Sequence, residues 1–207
     1  MTSRHGQKQL GFFDREEIGF DAALPALERE HIGHGAWLDY TQNAVRGHVQ
    51  LFEHLERSTR WHEASQHMYD KTVATPRLYA VLPEDGPGHP VLEAIRGELG
   101  RRYGEPFPRL TLALYRDGRD SVAWHGDRIA RRMERALVAT VSVGGTRRFL
   151  LRPYGGGPSI ARTLGHGDLL VMGGTCQRTW QHAIPKVPHA EPRIAIMFRP
   201  VWEEGSG

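Results

Sequence analysis

The feature of this chain that most limits its possible folds is a succession of short apolar segments that begins after Pro108. Turn residues separate several of these segments, most clearly at Gly144-Gly145 and at Gly155-Gly156-Gly157. Many short strands divided by turns are typical of a double-sheet jelly roll or a cupin-like barrel. We therefore predict a mainly β fold of the α+β class. The predicted strands are 110–116, 121–125, 137–143, 147–152, 159–163, 168–172, 179–184 and 193–199.

The first half of the chain shows helical patterns at two places. Apolar residues recur at helical spacing over 43–57 and again over 90–103, where Gly104 provides a C-terminal stop. A short strand is predicted at 37–40, whereas 61–82 is predicted to contain loops and short strands.

The length of 207 residues suits a large domain or a core with an extension. We divide the chain into an N-terminal extension (1–107), a barrel core (108–202) and a tail (203–207), packed as a single compact unit. Cys176 is the only cysteine, which excludes an internal disulfide and favours a reducing compartment. Residues 1–9 do not resemble a signal peptide, and no apolar run approaches the ~20 residues of a membrane helix. We therefore predict a cytoplasmic protein with no membrane partner.

A candidate metal motif lies at Trp124-His125-Gly126-Asp127, at the end of a predicted strand. Alternate strand residues point to the same side, so His125 and Asp127 are placed to contact one ion. Farther along the chain, His182 lies in a strand-like stretch that can fold back beside them. Two histidines and one carboxylate are the ligand set of non-haem Fe(II) oxygenases. With twelve histidines in the chain, ordinary surface or hydrogen-bonded histidines remain an alternative at this point.

A second motif is the alternating segment 193–199, which has an arginine at each end. Arg193, Ala195, Met197 and Arg199 share one face of the predicted strand. If that face points into the barrel, two permanent cations lie beside the metal. A dicarboxylate would pair with such guanidinium groups in bidentate geometry.

The positive charge of the chain is concentrated next to the metal motif. The net charge is only +3, yet seven arginines and a single acid, Glu134, lie between Arg128 and Arg152. This concentration permits a polyanionic partner near the site. The alternative is an ordinary solvated basic face.

Four separated motifs, taken together, resemble the AlkB family of Fe(II)- and 2-oxoglutarate-dependent dioxygenases. The likeness covers roughly 110–200, and extends more loosely to 68–70 and 76–78. It implies a double-stranded β-helix core, an N-terminal nucleotide-recognition extension, and oxidative removal of alkyl groups from DNA or RNA bases with Fe(II), 2-oxoglutarate and O2. The motifs are Asp120 to Asp127, Leu164 to Met172, Trp180-Gln181-His182, and Arg193 to Arg199.

The resemblance also implies roles for individual residues. His125, Asp127 and His182 match the iron ligands of the family. Arg193 matches the arginine that pairs with the distal carboxylate of 2-oxoglutarate, and Arg199 matches the arginine near the metal-bound end.

The chain departs from the family pattern around the cosubstrate. Tyr115 falls where an Asn-x-Tyr motif usually contacts 2-oxoglutarate, but Ala113 replaces the asparagine. In the last strand, Ala195 replaces a second asparagine and Met197 a threonine. At ~1.5–3 kcal/mol per charge-assisted hydrogen bond, losing both asparagines is expected to weaken cosubstrate binding by one to several decades unless water or repacking compensates.

The substrate side of the site is less sharply defined. Arg128-Ile129 stand where family members that repair cationic bases commonly carry an acid. The leading hypothesis is dealkylation of alkylated DNA or RNA. Alternatives are hydroxylation of a small molecule or protein side chain, and a non-catalytic nucleic-acid-binding barrel. No pattern predicts an oligomeric state. Bases stack on aromatic and guanidinium planes and phosphates pair with arginines, so the substrate-binding candidates are Tyr69, Arg77, Tyr79, Arg131 and Arg132.

Overall fold

The computed structural model describes residues 17–21, 27–68, 71–127 and 133–201, with the backbone alone for 64–68 and 71–75. The helices are α1 (His48–Ser58), α2 (Pro90–Tyr103) and α3 (Cys176–Thr179). The strands are β1 (Gly19–Phe20), β2 (Glu28–Gly33), β3 (Ala36–Thr41), β4 (Val45–Arg46), β5 (His62–Met68), β6 (Lys71–Leu82), β7 (Arg109–Tyr115), β8 (Val122–His125), β9 (Val138–Gly144), β10 (Arg147–Pro153), β11 (Ile160–Leu164), β12 (Asp168–Gly174), β13 (Trp180–Ile184) and β14 (Arg193–Arg199).

The described strands form a large sheet, a small sheet and a two-stranded ribbon. The large sheet has eight strands in the order β2-β3-β12-β9-β14-β7-β6-β5, and the small sheet has four in the order β11-β10-β13-β8. The pairings between these strands are antiparallel. Sequence neighbours are often far apart in the sheets, because the chain passes from the large sheet to the small one after β7, β9 and β12 and returns after β8, β11 and β13.

The two sheets enclose one hydrophobic cluster, and the helices cover a second. Alternate residues of β7 show the division: Leu112 and Leu114 belong to the cluster packed under α1 and α2, whereas Ala113 and Tyr115 belong to the cluster between the sheets. This two-sided burial follows from the period of two along a strand. The inter-sheet side is the interior of the barrel.

The two longer helices have different starting signals. Helix α2 spans the predicted 90–103, with Pro90 in its first turn. The side chain of His89 caps the start by accepting the backbone N–H of Val91, and Gly104 ends the helix in a left-handed conformation. Helix α1 begins five residues later than predicted, since Val45–Arg46 pair with β1 and Gly47 takes φ 60° before the helix. None of the described helices combines the length and apolarity needed to cross a bilayer.

Strand positions after Pro108 agree with the prediction to within two residues. For 61–82, where loops and short strands were predicted, the structure has strands, and the paired β5 and β6 are longer than predicted. Pairing with β7, such as Leu78 opposite Leu114, supports β6 through contacts that no local pattern indicates. Strands β2, β3, β5 and β6 all come from the N-terminal half and join the large sheet, while a boundary at 107 and 108 stays a prediction.

Candidate metal and cosubstrate site

Two of the three predicted metal ligands lie side by side in the small sheet. His125 ends β8 and is the register partner of His182 on β13. The centroids of the two rings are 4.2 Å apart. Side chains of directly paired residues project to the same face of a sheet, so strand pairing brings these distant histidines together.

The two imidazoles are in the state that a metal requires. His125 Nδ1 lies 2.8 Å from the carbonyl oxygen of Ala123; a carbonyl can only accept, so Nδ1 carries the hydrogen and the lone pair of Nε2 is free. Burial lowers the pKa of His125, and burial together with the nearby charges of His125 and Arg199 lowers the pKa of His182 well below its usual value. Both rings are therefore neutral at pH 7.

The third predicted ligand, Asp127, makes two hydrogen bonds with residues other than the histidines. Its Oδ2 accepts from Arg199 Nε at 2.9 Å, and its backbone N–H donates to Gln177 Oε1 at 3.1 Å. Within the described ranges, no three His, Cys, Asp or Glu side chains lie close enough together to hold an ion. The assignment of Asp127 as an iron ligand therefore stays a prediction.

Arg199 is the last residue of β14 and contacts Asp127. Besides Asp127, it donates from Nη1 to Thr111 Oγ1 at 2.5 Å. Met197 and Thr111 are register partners on β14 and β7. Burial lowers the pKa of Arg199, with Asp127 opposing the shift, and the group stays cationic at neutral pH.

Arg193 is the first residue of β14, on the same barrel-facing side as Arg199, and is only 1% exposed. Its Nε and Nη2 donate to Ser142 Oγ at 3.2 and 2.5 Å. Nη1 is buried and has no hydrogen-bond partner among the described residues. Burial lowers the pKa of Arg193 to about 10, so the cation persists at pH 7. A buried N–H without a partner is costly unless an acceptor arrives, and a carboxylate fits this need.

Tyr115 is the register partner of Arg193 and is also buried. The guanidinium carbons of Arg193 and Arg147 lie 5.3 and 5.5 Å from the centre of its ring. Its hydroxyl accepts from Arg77 Nη1 at 3.1 Å. Arg77 thus lies against the predicted cosubstrate residues, and its charge contributes to the low pKa of His182.

Ala113 and Ala195 lie directly opposite each other on β7 and β14. Both are buried between the sheets, at 2% and 5% exposure. The two positions where the family pattern has asparagines are therefore neighbours on the barrel face of the sheet. Neither position provides a side-chain amide.

The remaining substrate candidates are spread over the chain. Tyr79 lies on β6 opposite Ala113 and is 41% exposed. Tyr69, Arg131 and Arg132 fall outside the described residues. The roles of these residues and of Arg77 in substrate binding stay predictions.

The basic stretch from Arg128 to Arg152 is not uniformly solvated. Arg135 and Arg148 are exposed. Arg147 is 3% exposed and donates to the carbonyl oxygens of Asp117, Asp120 and Pro185. It therefore fastens the loops next to β8 and β13.

Three polar residues near the candidate site were not predicted from the sequence. Ser142, Thr111 and Gln177 contact Arg193, Arg199 and Asp127 respectively. Ser142 and Thr111 interrupt apolar strands, and such an interruption is a signal for an inward polar position. Gln177 lies in a one-turn helix and gives no comparable signal.

The residues present fit Fe(II) and a dicarboxylate. Two neutral imidazoles are adjacent, a carboxylate lies two residues beyond one of them, and the free Nη1 of Arg193 provides a donor for a distal carboxylate.

Comparison with known proteins agrees with this fit. The chain is 35% identical over 179 residues to the alpha-ketoglutarate-dependent dioxygenase alkB homolog 3 of Bos taurus, covering 76% of this chain and 63% of that protein. It is 27% identical over 177 residues to the DNA oxidative demethylase ALKBH2 of Homo sapiens, covering 73% and 68%. The resemblance to AlkB-like dioxygenases is thereby confirmed, although the chain spans about 63% of the alkB homolog 3 relative.

Solved structures support the fold. A prolyl hydroxylase from Trichoplax adhaerens, determined with a peptide fragment, superposes with a TM-score of 0.60 at 13% identity, covering 81% of this chain and 84% of that one. The structure of OsALKBH1 gives a TM-score of 0.53 at 14% identity, covering 84% and 100%. The predicted mainly β, jelly-roll architecture is confirmed.

A family model covers most of the chain, from residue 34 to residue 199, and its description names 2-oxoglutarate, Fe(II) and oxygenation. These are the cofactor and cosubstrates that the sequence predicts. The chain belongs to the 2OG-Fe(II) oxygenase superfamily.

Proposed function

We propose that this chain is an Fe(II)- and 2-oxoglutarate-dependent dioxygenase that removes alkyl groups from the bases of DNA or RNA. The observation that carries the proposal is the free Nη1 of buried Arg193 in a barrel that also holds the adjacent rings of His125 and His182. The names of the relatives support the substrate class, since one is a DNA oxidative demethylase.

The residues of the site would have different roles. Bound Fe(II) with 2-oxoglutarate and O2 would supply the oxidation of the alkyl carbon. His125 and His182 would hold the iron with neutral nitrogens, and Asp127 would add a carboxylate oxygen. Arg193 would bind the distal carboxylate, and its two bonds to Ser142 set the orientation of the guanidinium beforehand.

Apolar side chains flank the half-buried His182. Phe149 stacks on the ring of His182 with centroids 5.4 Å apart and planes 24° apart. Leu151, fully buried, is the register partner of His182 on β10. Exclusion of water strengthens the electrostatic interactions of the site and limits side reactions.

Turnover of a defined pool of substrates tests the proposal. Purified protein is incubated with Fe(II), 2-oxoglutarate and a mixed pool of alkylated oligonucleotides, and succinate and oligonucleotide masses are measured. We expect succinate together with loss of alkyl mass for the wild type and for His31→Ala, because His31 is exposed on β2. His125→Ala is expected to give neither product.

The same measurement separates the alternatives. Wild-type protein that produces no mass change in any oligonucleotide, under conditions where it consumes 2-oxoglutarate, contradicts nucleic-acid dealkylation and favours hydroxylation of another substrate. Protein that neither consumes 2-oxoglutarate nor binds it contradicts the oxygenase assignment itself.

We further propose that exposed arginines of the segment 128–152 hold the phosphates of the substrate strand. A base must leave its stack to enter the barrel, so the flanking backbone needs an anchor. Arg135→Ala should weaken oligonucleotide binding and lower the salt slope by about 0.7 for a single strand. Arg57→Ala, an exposed arginine on α1, serves as the control. Equal salt slopes for wild type and Arg135→Ala would remove Arg135 from the interface.

A further inference from the structure

Gln177 is a buried polar residue whose position is not explained by core packing. It lies in α3, the single helical turn between β12 and β13, and is 1% exposed. Its Oε1 accepts from the backbone N–H of Asp127 at 3.1 Å, and its Nε2 points to Met172 Sδ at 3.6 Å. Both ends of the amide are therefore engaged.

The turn that carries Gln177 is hydrogen-bonded to the connection between β2 and β3. Thr175 donates from its backbone to the carbonyl of Gly35 at 3.2 Å and from its hydroxyl to the carbonyl of His34 at 2.5 Å. Thr179 closes the turn by donating to the carbonyl of Thr175 at 2.9 Å. Gln177 thus extends from a turn whose two ends are hydrogen-bonded.

Asp127 itself has little support from secondary structure. It lies two residues beyond the end of β8 and outside the strand pairing of the small sheet. The contacts described for it are the side-chain oxygen of Gln177 on its N–H and the guanidinium of Arg199 on its carboxylate. The first contact fixes the backbone, and the second restrains the side chain.

We propose that Gln177 is a positioning residue: it holds the peptide of Asp127 just beyond the end of β8 and thereby places the carboxylate for a metal that His125 and His182 would hold. This inference rests on the proposed function. Partners that orient a metal ligand typically change metal affinity by 10- to 100-fold when they are removed. The amide oxygen of Gln177 acts through the backbone N–H of Asp127, which lies outside the described pairing of β8 with β13.

Metal affinity and the visible spectrum of the Co(II)-substituted protein test the proposal without turnover. Gln177→Met keeps the length of the side chain but removes the acceptor oxygen. We expect Co(II) to bind 10- to 100-fold more weakly in calorimetry with 2-oxoglutarate present, and the ligand-field bands to shift. Gln177→Glu keeps an acceptor oxygen, so its affinity for Co(II) should stay within a few-fold of the wild-type value.

Gln181→Met is the matched control. Gln181 adjoins His182 in sequence, but its Oε1 accepts from Arg152 rather than from a candidate ligand. It should leave Co(II) affinity and spectrum unchanged. If Gln177→Met does not fold, Gln177→Asn, which keeps an amide but is too short to reach Asp127, should show the same loss.

Two results would overturn the inference in distinguishable ways. Wild-type affinity and spectrum in folded Gln177→Met or Gln177→Asn would remove the positioning role and leave the proposed function intact. Absence of Co(II) binding in the wild type itself would refute the metal site, and the inference with it.

Discussion

The two faces of the large sheet differ in character, although the same strands supply both. The positions of β14 that face the helices are Ile194, Ile196 and Phe198, each fully buried. The positions that face the barrel are Arg193, Ala195, Met197 and Arg199. The first face is a purely apolar core, whereas the second places two cations in a site of low exposure.

This difference separates stability from chemistry. Burial of apolar side chains on the helix-covered face stabilises the fold. On the barrel face, Arg193 forms no ion pair with a described acid and leaves its Nη1 amino group without a hydrogen-bond partner, which costs stability until a carboxylate binds. Along β14, the helix-covered face is therefore purely apolar, whereas the barrel face adds two cations to the apolar cluster between the sheets.

The strongest test of this separation removes apolar volume from the helix side. Ile196→Ala should lower the free energy of unfolding by about 2–5 kcal/mol, because it leaves a cavity in the core. The affinity of the folded protein for 2-oxoglutarate should stay within a few-fold of wild type. Urea unfolding measures the free energy of unfolding, and calorimetry measures the affinity for 2-oxoglutarate. Ile160→Ala, at a half-buried position, is the control. A large loss of affinity in the folded variant would show that the two faces are coupled.

The converse change acts on the barrel side. Arg193→Met should weaken 2-oxoglutarate binding by about 100-fold or more, because at least two charge-assisted hydrogen bonds are lost. The free energy of unfolding should stay equal or rise, since replacing a buried, poorly compensated charge with an apolar side chain is often neutral or stabilising. Arg148→Met, at an exposed position on β10, should change neither quantity. A substantial loss of stability in Arg193→Met would contradict the comparison.

A smaller change in 2-oxoglutarate affinity is expected from restoring a hydrogen-bond donor on the barrel face of β14. Ala195→Asn should tighten 2-oxoglutarate binding by about tenfold, the equivalent of one hydrogen bond of ~1.4 kcal/mol. A single substitution is preferred because Ala113 lies directly opposite and a second asparagine would crowd it. Ala161→Asn, at an exposed position on β11, is the control in calorimetry. Weaker binding in Ala195→Asn would show that the alanine pair suits the cosubstrate.

The smallest effect concerns pH on the helix side. His89 accepts the N–H of Val91 at the start of α2 through Nδ1, which requires a neutral ring. Burial, followed by the nearby His54, lowers the pKa of His89. The unfolded chain therefore binds the proton more readily, and stability falls as the pH drops below about 6.5.

His89→Asn keeps a capping oxygen and should remove about 1 kcal/mol or less of this pH-dependent loss. Urea unfolding at pH 7.5 and pH 5 measures it against His31→Asn, an exposed control. Identical pH slopes in wild type and His89→Asn would exclude the cap as the titrating group.

Local patterns in the sequence determined much of the architecture. Alternation placed the strands after Pro108, and a proline start with a glycine stop placed α2. The same alternation predicted that Arg193 and Arg199 share a face, and the face is the one in the barrel. These features depend on backbone preferences and on side-chain direction within one segment, so neighbouring residues are enough to specify them.

Tertiary structure alone decided which side chains meet. Ser142 reaches Arg193 because β9 pairs with β14, and Thr111 reaches Arg199 because β7 pairs with the other edge of β14. Gln177 reaches Asp127 across the two sheets. The first two contacts depend on the register between strands distant in sequence, and a shift of one residue would turn the side chain to the opposite face. Register is set by the packing of the whole barrel, which no single segment of the sequence contains.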